Sequence, residues 1–118
     1  MDIRTKRVYE PVDGHDGYRV LVDRIWPRGL SKEKANIHFW PKELAPSKEL
    51  RQWFGHDPAK WEDFLERYAE ELAQHKERLE ELADMAESGP LTLVYSSRET
   101  RYNNAVALKE YLKSRTVD

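Results

Sequence analysis

The sequence predicts a small α/β fold, in which helices pack on a short, mainly parallel sheet of three to four strands as a two-layer or three-layer sandwich. The predicted elements follow the order strand, strand, helices, strand, helix. A long helical segment separates the strands predicted over 18–23 and 91–96, and a connection of that kind joins parallel neighbours. The length of 118 residues suits one domain, which we expect to cover residues 1–118.

The first two strands are predicted over residues 3–9 and 18–23. Between them, residues 10–17 contain Pro and two Asp-Gly pairs, which are typical of turns. Residues 20–22 are apolar in succession, a pattern that favours a strand buried on both faces. The link is short for a parallel crossover, so the direction of the first strand relative to the second stays open.

Serine residues mark two short helices ahead of the long helical segment. Ser31 caps one predicted turn, and Ser47 caps a predicted helix that ends at Gly55. Asp57 and the proline after it begin the long segment. Its apolar stripe has a gap at His75, so we expect a break near 74–76 that divides it into two helices.

The end of the chain supplies the last strand and helix. Gly89 and Pro90 stop the second long helix, and residues 91–96 form a strand. A last helix is expected to begin at Glu99 or Thr100.

Composition excludes several classes of site. The chain has no cysteine, so it has no disulfide, no thiolate zinc site and no cysteine nucleophile. No two histidines have metal-site spacing and no glycine-rich phosphate loop occurs, so we predict neither a metal nor a cofactor. The start lacks the apolar core of a signal peptide, and no apolar run could span a bilayer. We therefore expect a cytoplasmic protein that does not associate with membranes.

Charge is unevenly distributed along the chain. The formal net charge of −2 argues against a general nucleic-acid binder. Residues 62–87 hold ten acidic and three basic side chains, whereas residues 18–34 hold five basic and two acidic ones. The tail, 95–118, holds five basic and three acidic residues. If the two basic regions meet in space, they create a local positive field on a mildly negative protein.

Polar side chains follow the strands predicted over 18–23 and 91–96. In an open parallel sheet, ligands bind beyond the carboxyl ends of the strands. Guanidinium groups hold carboxylate or phosphate through paired hydrogen bonds, and hydroxyl and amide groups add neutral donors. The sequence therefore predicts a site for a small anionic ligand at this edge. The residues expected to contact it are Arg24, Trp26, Arg28, Trp53, Ser96, Ser97, Arg98, Asn103 and Asn104.

Two residues are candidates for acid or base chemistry. Asp23 ends the strand predicted over 18–23, and His56 stands between a helix-ending Gly and a helix-starting Asp-Pro. Structural interpretations stay open for each feature. Asp23 and Arg24 could simply pair with neighbouring charges, Trp26 could pack in the core or at its rim, the serines could cap a turn, and His56 could be held by the backbone.

Long segments of the sequence resemble the YeaO-like family of small bacterial proteins, a domain of unknown function. The segments are VLVDRIWPRGLSKEKANI, FWPKELAPSKELRQWFGHDP, LTLVYSS and NNAVALKEYL, and the resemblance covers roughly residues 3–113. It implies a compact α/β fold in bacteria or archaea and no established activity.

The resemblance also extends to longer members of the wider superfamily. These members have a strand ending VDVR followed by Pro and Arg, and a last strand followed by a Cys-His-Arg run. Asp23, Arg24, Pro27 and Arg28 are similar to the first pattern. The second pattern is missing, because Tyr95, Ser96, Asn103 and Asn104 occupy that region. Chemistry that needs the Cys-His pair therefore does not carry over.

Three functions follow as hypotheses. The first is a domain that binds a small anionic molecule, as an enzyme or without catalysis. The alternative is a protein-interaction module that uses exposed aromatic residues such as Trp40 and Trp53. Nucleic-acid binding through the basic loops is the weakest, because the net charge is negative. The sequence leaves the oligomeric state open.

Overall fold

The structure, a computed structural model, describes residues 1–115. Within this range three strands form one parallel open sheet, and five α-helices accompany it, which confirms the α/β class. The strands are β1 (Ile3–Arg7), β2 (Tyr18–Leu21) and β3 (Leu91–Tyr95). The helices are α1 (Lys32–Ala35), α2 (Lys48–Phe54), α3 (Trp61–Leu72), α4 (Lys76–Ser88) and α5 (Asn104–Arg115).

The central strand is β3, and it pairs in parallel with both neighbours. Opposite Leu91 lie Ile3 of β1 and Tyr18 of β2, so all three strands start at one edge. The direction of β1, which the sequence left open, is therefore parallel to β2. The intervening residues 8–17 return along the sheet without an α-helix, with only a 3-10 turn at Gly14–Asp16, because ten residues can reach up to about 33 Å and a five-residue strand spans about 17 Å.

Both faces of the sheet are covered. The larger core lies between the sheet and the four helices α2 to α5, and alternate β3 residues Leu91, Leu93 and Tyr95 point into it. On the other face, Val94 packs in a smaller cluster with Val8, Leu21 and Ala35. The four longer helices thus form a layer on one face of the sheet, and loops with the single turn of α1 cover the second face.

Most predicted helix boundaries are confirmed. Ser31 and Ser47 cap α1 and α2 through their side chains, and Gly55 ends α2 in a left-handed conformation. The expected break in the long helical segment falls between α3 and α4, at residues 73–75.

The start of the last helix was predicted wrongly. α5 begins at Asn104, not at Glu99 or Thr100. The Glu99 carboxylate accepts hydrogen bonds from the N–H groups of residues 101 and 102, which holds this stretch as a turn. Asn103 then supplies the helix cap, its Oδ1 accepting from the N–H of Val106 at 2.9 Å.

None of the helices in the described part of the chain is long and apolar enough to cross a membrane.

Candidate functional site

A cavity of about 290 Å³ opens at the carboxyl ends of β2 and β3. Its polar lining consists of Asp23, Arg24, Arg51, His56, Ser96, Ser97 and Asn104. Its apolar lining consists of Ile25, Pro46, Phe54 and Phe64. The parallel pairing of β2 with β3 creates this geometry, because both strands end at the same edge of the sheet.

Asp23 joins the three elements that meet at this edge. Its Oδ2 accepts hydrogen bonds from the N–H and the hydroxyl of Ser96, at 2.8 and 2.9 Å. Its Oδ1 accepts from Asn104 Nδ2 at 3.2 Å, and the same amide donates to the carbonyl of Val22 at 2.8 Å. The predicted convergence of Asp23 and Ser96 is confirmed. These bonds occupy the carboxylate and place Asp23 as a clamp between β2, β3 and α5.

The remaining polar groups of the β3 edge are also engaged. The Ser97 hydroxyl donates to the carbonyl of Glu99 at 3.1 Å and accepts from the N–H of the same residue. Asn103 is fully buried and caps α5, while its Nδ2 donates to the Glu99 carbonyl at 2.7 Å. Ser96 and Ser97 therefore line the cavity with hydroxyl groups that already have partners within the protein.

In contrast to these groups, the guanidinium of Arg51 lacks a hydrogen-bond partner within residues 1–115 for one of its nitrogens. Its Nε is buried and has no hydrogen-bond partner among the described residues. Leaving a buried donor unpaired costs about 1–3 kcal/mol, and more when the group is charged. Arg51 lies in the last turn of α2, where a cation is favourable to the helix dipole, but that interaction gives the Nε no acceptor.

Arg24 supplies a second cation to the same cavity. It is exposed, and one of its terminal nitrogens donates to the carbonyl of Ala45 at 3.2 Å. Two guanidiniums thus face one lining carboxylate, that of Asp23. The formal charge of the lining is positive by one unit with His56 neutral.

His56 is held in a defined orientation at the rim. Gly55 and His56 both have left-handed backbones, with φ of 54° and 55°, and this turn directs the chain from α2 toward α3. His56 Nδ1 lies 2.8 Å from the carbonyl of Tyr102. Because a carbonyl can only accept, Nδ1 carries the proton, and Nε2 is left for another partner. The ring also meets Phe54 edge-on, with centroids 5.7 Å apart.

Burial and nearby N–H groups shift the pKa of two groups around the cavity. Burial raises the pKa of Tyr68, with a smaller contribution from Glu71, and the Tyr68 hydroxyl donates to the carbonyl of Leu44. The backbone N–H groups of Arg101 and Tyr102 lower the pKa of the Glu99 carboxyl. Both effects stabilise the present arrangement: Tyr68 stays a neutral donor, and Glu99 stays an anionic acceptor for its loop.

The two tryptophans expected in the site lie elsewhere. Trp26 packs edge-on against Trp40 on the second face of the sheet, with centroids 5.4 Å apart, and its Nε1 donates to the carbonyl of Leu30. Trp53 points to the other side of α2, where the guanidinium of Arg67 lies 4.1 Å from its ring centroid. Trp26 therefore packs at the rim of the smaller cluster, as the structural alternative for this residue expected.

Two arginines of the predicted set also lie outside the cavity. Arg28 is exposed, and its carbonyl accepts from the hydroxyl of Tyr9 at 2.8 Å. Arg98 lines a separate groove with Arg7 on the other side of Ser96 and Ser97. The structure therefore brings together six of the predicted residues: Asp23, Arg24, His56, Ser96, Ser97 and Asn104.

Arg51 and the apolar lining were not predicted. The sequence contained one signal for Arg51, because Phe54 follows it by one helical turn and shares its side of α2. An arginine beside an inward-facing aromatic, just ahead of the proposed His56, was a candidate for the same pocket. Ile25 and Pro46 had no comparable signal.

Within residues 1–115, no group of three or more His, Cys, Asp or Glu side chains is arranged to hold a metal ion.

The fold and this cavity define a class of protein, a small α/β domain with a cavity of mixed polar and apolar lining at the carboxyl edge of a three-stranded parallel sheet. The chain belongs to the family described as the inactive DUF488-N3 subclade, whose model matches residues 2–118. This confirms the YeaO-like family that the sequence motifs indicated.

Curated relatives match almost end to end. The uncharacterized protein YeaO of Escherichia coli is 46% identical over 114 residues, which cover 97% of this chain and 99% of the relative. Uncharacterized proteins of Mycobacterium tuberculosis and Mycobacterium bovis are each 42% identical over 113 residues, covering 96% of this chain and 95% of the relative. No solved structure matches the chain significantly.

Proposed function

We propose that the domain binds a small anion in the cavity at the carboxyl ends of β2 and β3, and does so without catalysing a reaction. The observation that carries this proposal is the position of Arg51 in the cavity lining, where the buried Nε of its guanidinium has no hydrogen-bond partner among the described residues. A carboxylate or phosphate oxygen is the acceptor that a guanidinium binds best, through two parallel hydrogen bonds.

The surrounding charges favour an anion at this position. Arg24 and Arg51 contribute two positive charges, and the single lining carboxylate, Asp23, accepts hydrogen bonds from Ser96 and Asn104. His56 offers its Nε2, because its Nδ1 donates to the carbonyl of Tyr102. An anion would therefore neutralise the cavity and supply the acceptor that Arg51 lacks.

Several features support binding without catalysis. The two candidate acid-base groups are Asp23 and His56, and the carboxylate of Asp23 is occupied by internal hydrogen bonds. The chain has no cysteine, so the Cys-His pair of longer superfamily members has no counterpart. The description of the family as inactive points in the same direction.

The alternative functions have less support. An interaction module was expected to use Trp40 and Trp53, but each ring is half-buried and covered by a cation, Lys42 over Trp40 and Arg67 over Trp53. Nucleic-acid binding through phosphates would be steeply salt-dependent, and the net charge of −2 opposes it.

The experiment measures the melting temperature and the binding heat with inorganic phosphate, acetate and benzoate. We expect at least one of these anions to bind, and Arg51→Gln to weaken that binding by about tenfold or more. The matched control is Arg98→Gln, which removes the same charge from the same end of the sheet but outside the cavity. If no anion binds, or if both variants reduce binding equally, the cavity is not an anion site.

A further inference from the structure

We infer that the ligand of this cavity is a small monocarboxylate with an apolar body, an inference that rests on the proposed anion site. Three observations select this class among anions: the size of the cavity, its charge, and the position of its apolar lining. Together they separate a carboxylate from a phosphate ester, a distinction that two guanidiniums alone do not make.

Size limits the ligand to a small molecule. A cavity of about 290 Å³ lies at the lower end of the range of ligand sites, which runs from about 300 to 1,000 Å³. One ring or a short chain with a single acidic group fits this volume.

Charge favours one negative charge over two. Arg24 and Arg51 give two positive charges, and Asp23 removes one of them. A carboxylate carries one charge and therefore neutralises the lining. A phosphate monoester carries about −1.5 to −2 at pH 7 and would leave excess negative charge beside the Asp23 carboxylate. Protonation of His56 would be needed to compensate for it.

The apolar lining provides a place for the body of the acid. Phe54 and Phe64 stack with centroids 4.1 Å apart beneath the cavity, and Pro46 is buried beside them. Ile25 stands at the opening with 69% of its surface exposed. An isoleucine this exposed at the mouth of a cavity gains a partner when an apolar group binds. The carboxylate would then lie on Arg51, with the body against Ile25.

Four matched probes test the ligand class by calorimetry: benzoate, acetate, phenyl phosphate and the neutral isostere benzamide. Hexanoate is measured as well, so that a chain is compared with a ring. We expect benzoate or hexanoate to bind about tenfold more tightly than acetate, phenyl phosphate and benzamide. Arg51→Gln should weaken benzoate or hexanoate by about tenfold or more.

A second variant separates the apolar contact from the charge. Ile25→Thr should weaken benzoate or hexanoate but leave acetate unchanged, and its exposed position makes loss of folding no concern. Val12→Thr is the control, an exposed apolar residue in the loop between β1 and β2, away from the cavity.

The outcomes distinguish this inference from the proposed function. If phenyl phosphate or inorganic phosphate binds most tightly, and its binding depends on Arg51, the inferred monocarboxylate ligand is wrong but the proposed anion site stands. If acetate binds as tightly as benzoate and hexanoate, the ligand does not need an apolar body. The same conclusion follows if Ile25→Thr does not change the affinity for benzoate and hexanoate. If no anion binds at all, or if benzamide binds as tightly as benzoate and neither phosphate probe binds, both proposals are overturned.

Discussion

At the scale of single residues, the buried side-chain nitrogen and oxygen atoms of residues 1–115 fall into those with a hydrogen-bond partner and one without, the Nε of Arg51. Arg19 is 1% exposed, yet it donates to Asp16 at 2.7 Å and to the carbonyls of Ala35 and Asn36. Asp16 also accepts from Lys6 at 3.2 Å. This network ties β1 and β2 to the turn between them. Because the charged groups of this network have partners within the protein, the network serves the fold. The unpaired Nε of Arg51 instead suggests a group that binds a ligand.

Asp16 should make stability depend on pH. Burial disfavours the ionised carboxylate, but hydrogen bonds from the Asp13 N–H, Lys6 and Arg19 outweigh burial, so the pKa of Asp16 is lowered below its ordinary 3.8. Its ionised form therefore stabilises the fold. That contribution is complete above the ordinary pKa and is lost as the pH falls through the lower, folded-state pKa. Asp16→Asn should cost about 3 kcal/mol at pH 7, because Arg19 stays buried without its counter-charge.

The check is chemical denaturation of the wild type and Asp16→Asn from pH 7 down to acid. The difference in unfolding free energy should shrink as the wild-type carboxyl becomes protonated. Glu80→Gln, at an exposed position on α4, should show little difference at any pH. If the difference in unfolding free energy between the wild type and Asp16→Asn stays constant into acid, Asp16 stabilises the fold through its shape and not through its charge.

At the scale of elements, signals close in sequence predicted the boundaries well. Ser47 and Gly55 bounded α2 because capping and left-handed termination are local effects. The start of α5 was wrong because it depends on Glu99, whose side chain binds the next N–H groups and delays the helix. The order of the strands could not be derived in full, since a returning loop without a helix leaves no periodic pattern.

The junction of β2 with β3 makes a sharp prediction for one glycine. Gly17 precedes β2 with φ of 65°, and a Cβ there would lie 2.1 Å from the carbonyl oxygen of Pro90. That carbonyl also accepts the N–H of Tyr18 at 3.0 Å, so it is not free to move. Gly17→Ala should therefore destabilise the protein by on the order of 3 kcal/mol.

Gly14 provides the control in the same loop. An alanine Cβ there meets nothing within 4 Å, so Gly14→Ala should change the unfolding free energy by less than about 0.5 kcal/mol. Urea denaturation of both variants measures the contrast. Equal effects would show that the β2 and β3 starts can separate without cost, against the register described here.

At the scale of the whole molecule, topology explains which half of the site was predictable. Parallel strands end at one edge, so Asp23, Arg24, Ser96, Ser97 and Asn104 could be placed together from the sequence alone. Arg51 could not, because its position depends on how α2 packs across the sheet edge. Trp26 and Trp53 were misplaced for the same reason: the face on which an aromatic residue packs is decided by distant elements.

The unpaired Nε of Arg51 links the stability of the fold to ligand binding. If Arg51 is kept for a ligand, then replacing it with an apolar residue of similar length should relieve the unpaired buried donor. Arg51→Met should raise the unfolding free energy of the ligand-free protein by about 0.5–1 kcal/mol, after the lost helix-dipole interaction is allowed for. Arg67→Met, which removes a guanidinium that stacks on Trp53, should lower it by about 0.5–1 kcal/mol.

Without ligand, Arg51→Met should be more stable than the wild type. With ligand bound, the wild type should become the more stable of the two. An anion at a hundred times the wild-type dissociation constant adds about 2.7 kcal/mol to the wild type and to Arg67→Met, but about 1.4 kcal/mol or less to Arg51→Met, if that variant binds about tenfold more weakly or worse. Denaturation with and without benzoate or phosphate measures all three proteins. If Arg51→Met is instead less stable without ligand, the guanidinium already has a stabilising role within the fold. The cavity would then lose the group that distinguishes it as a binding site from an ordinary gap between a helix and a sheet edge.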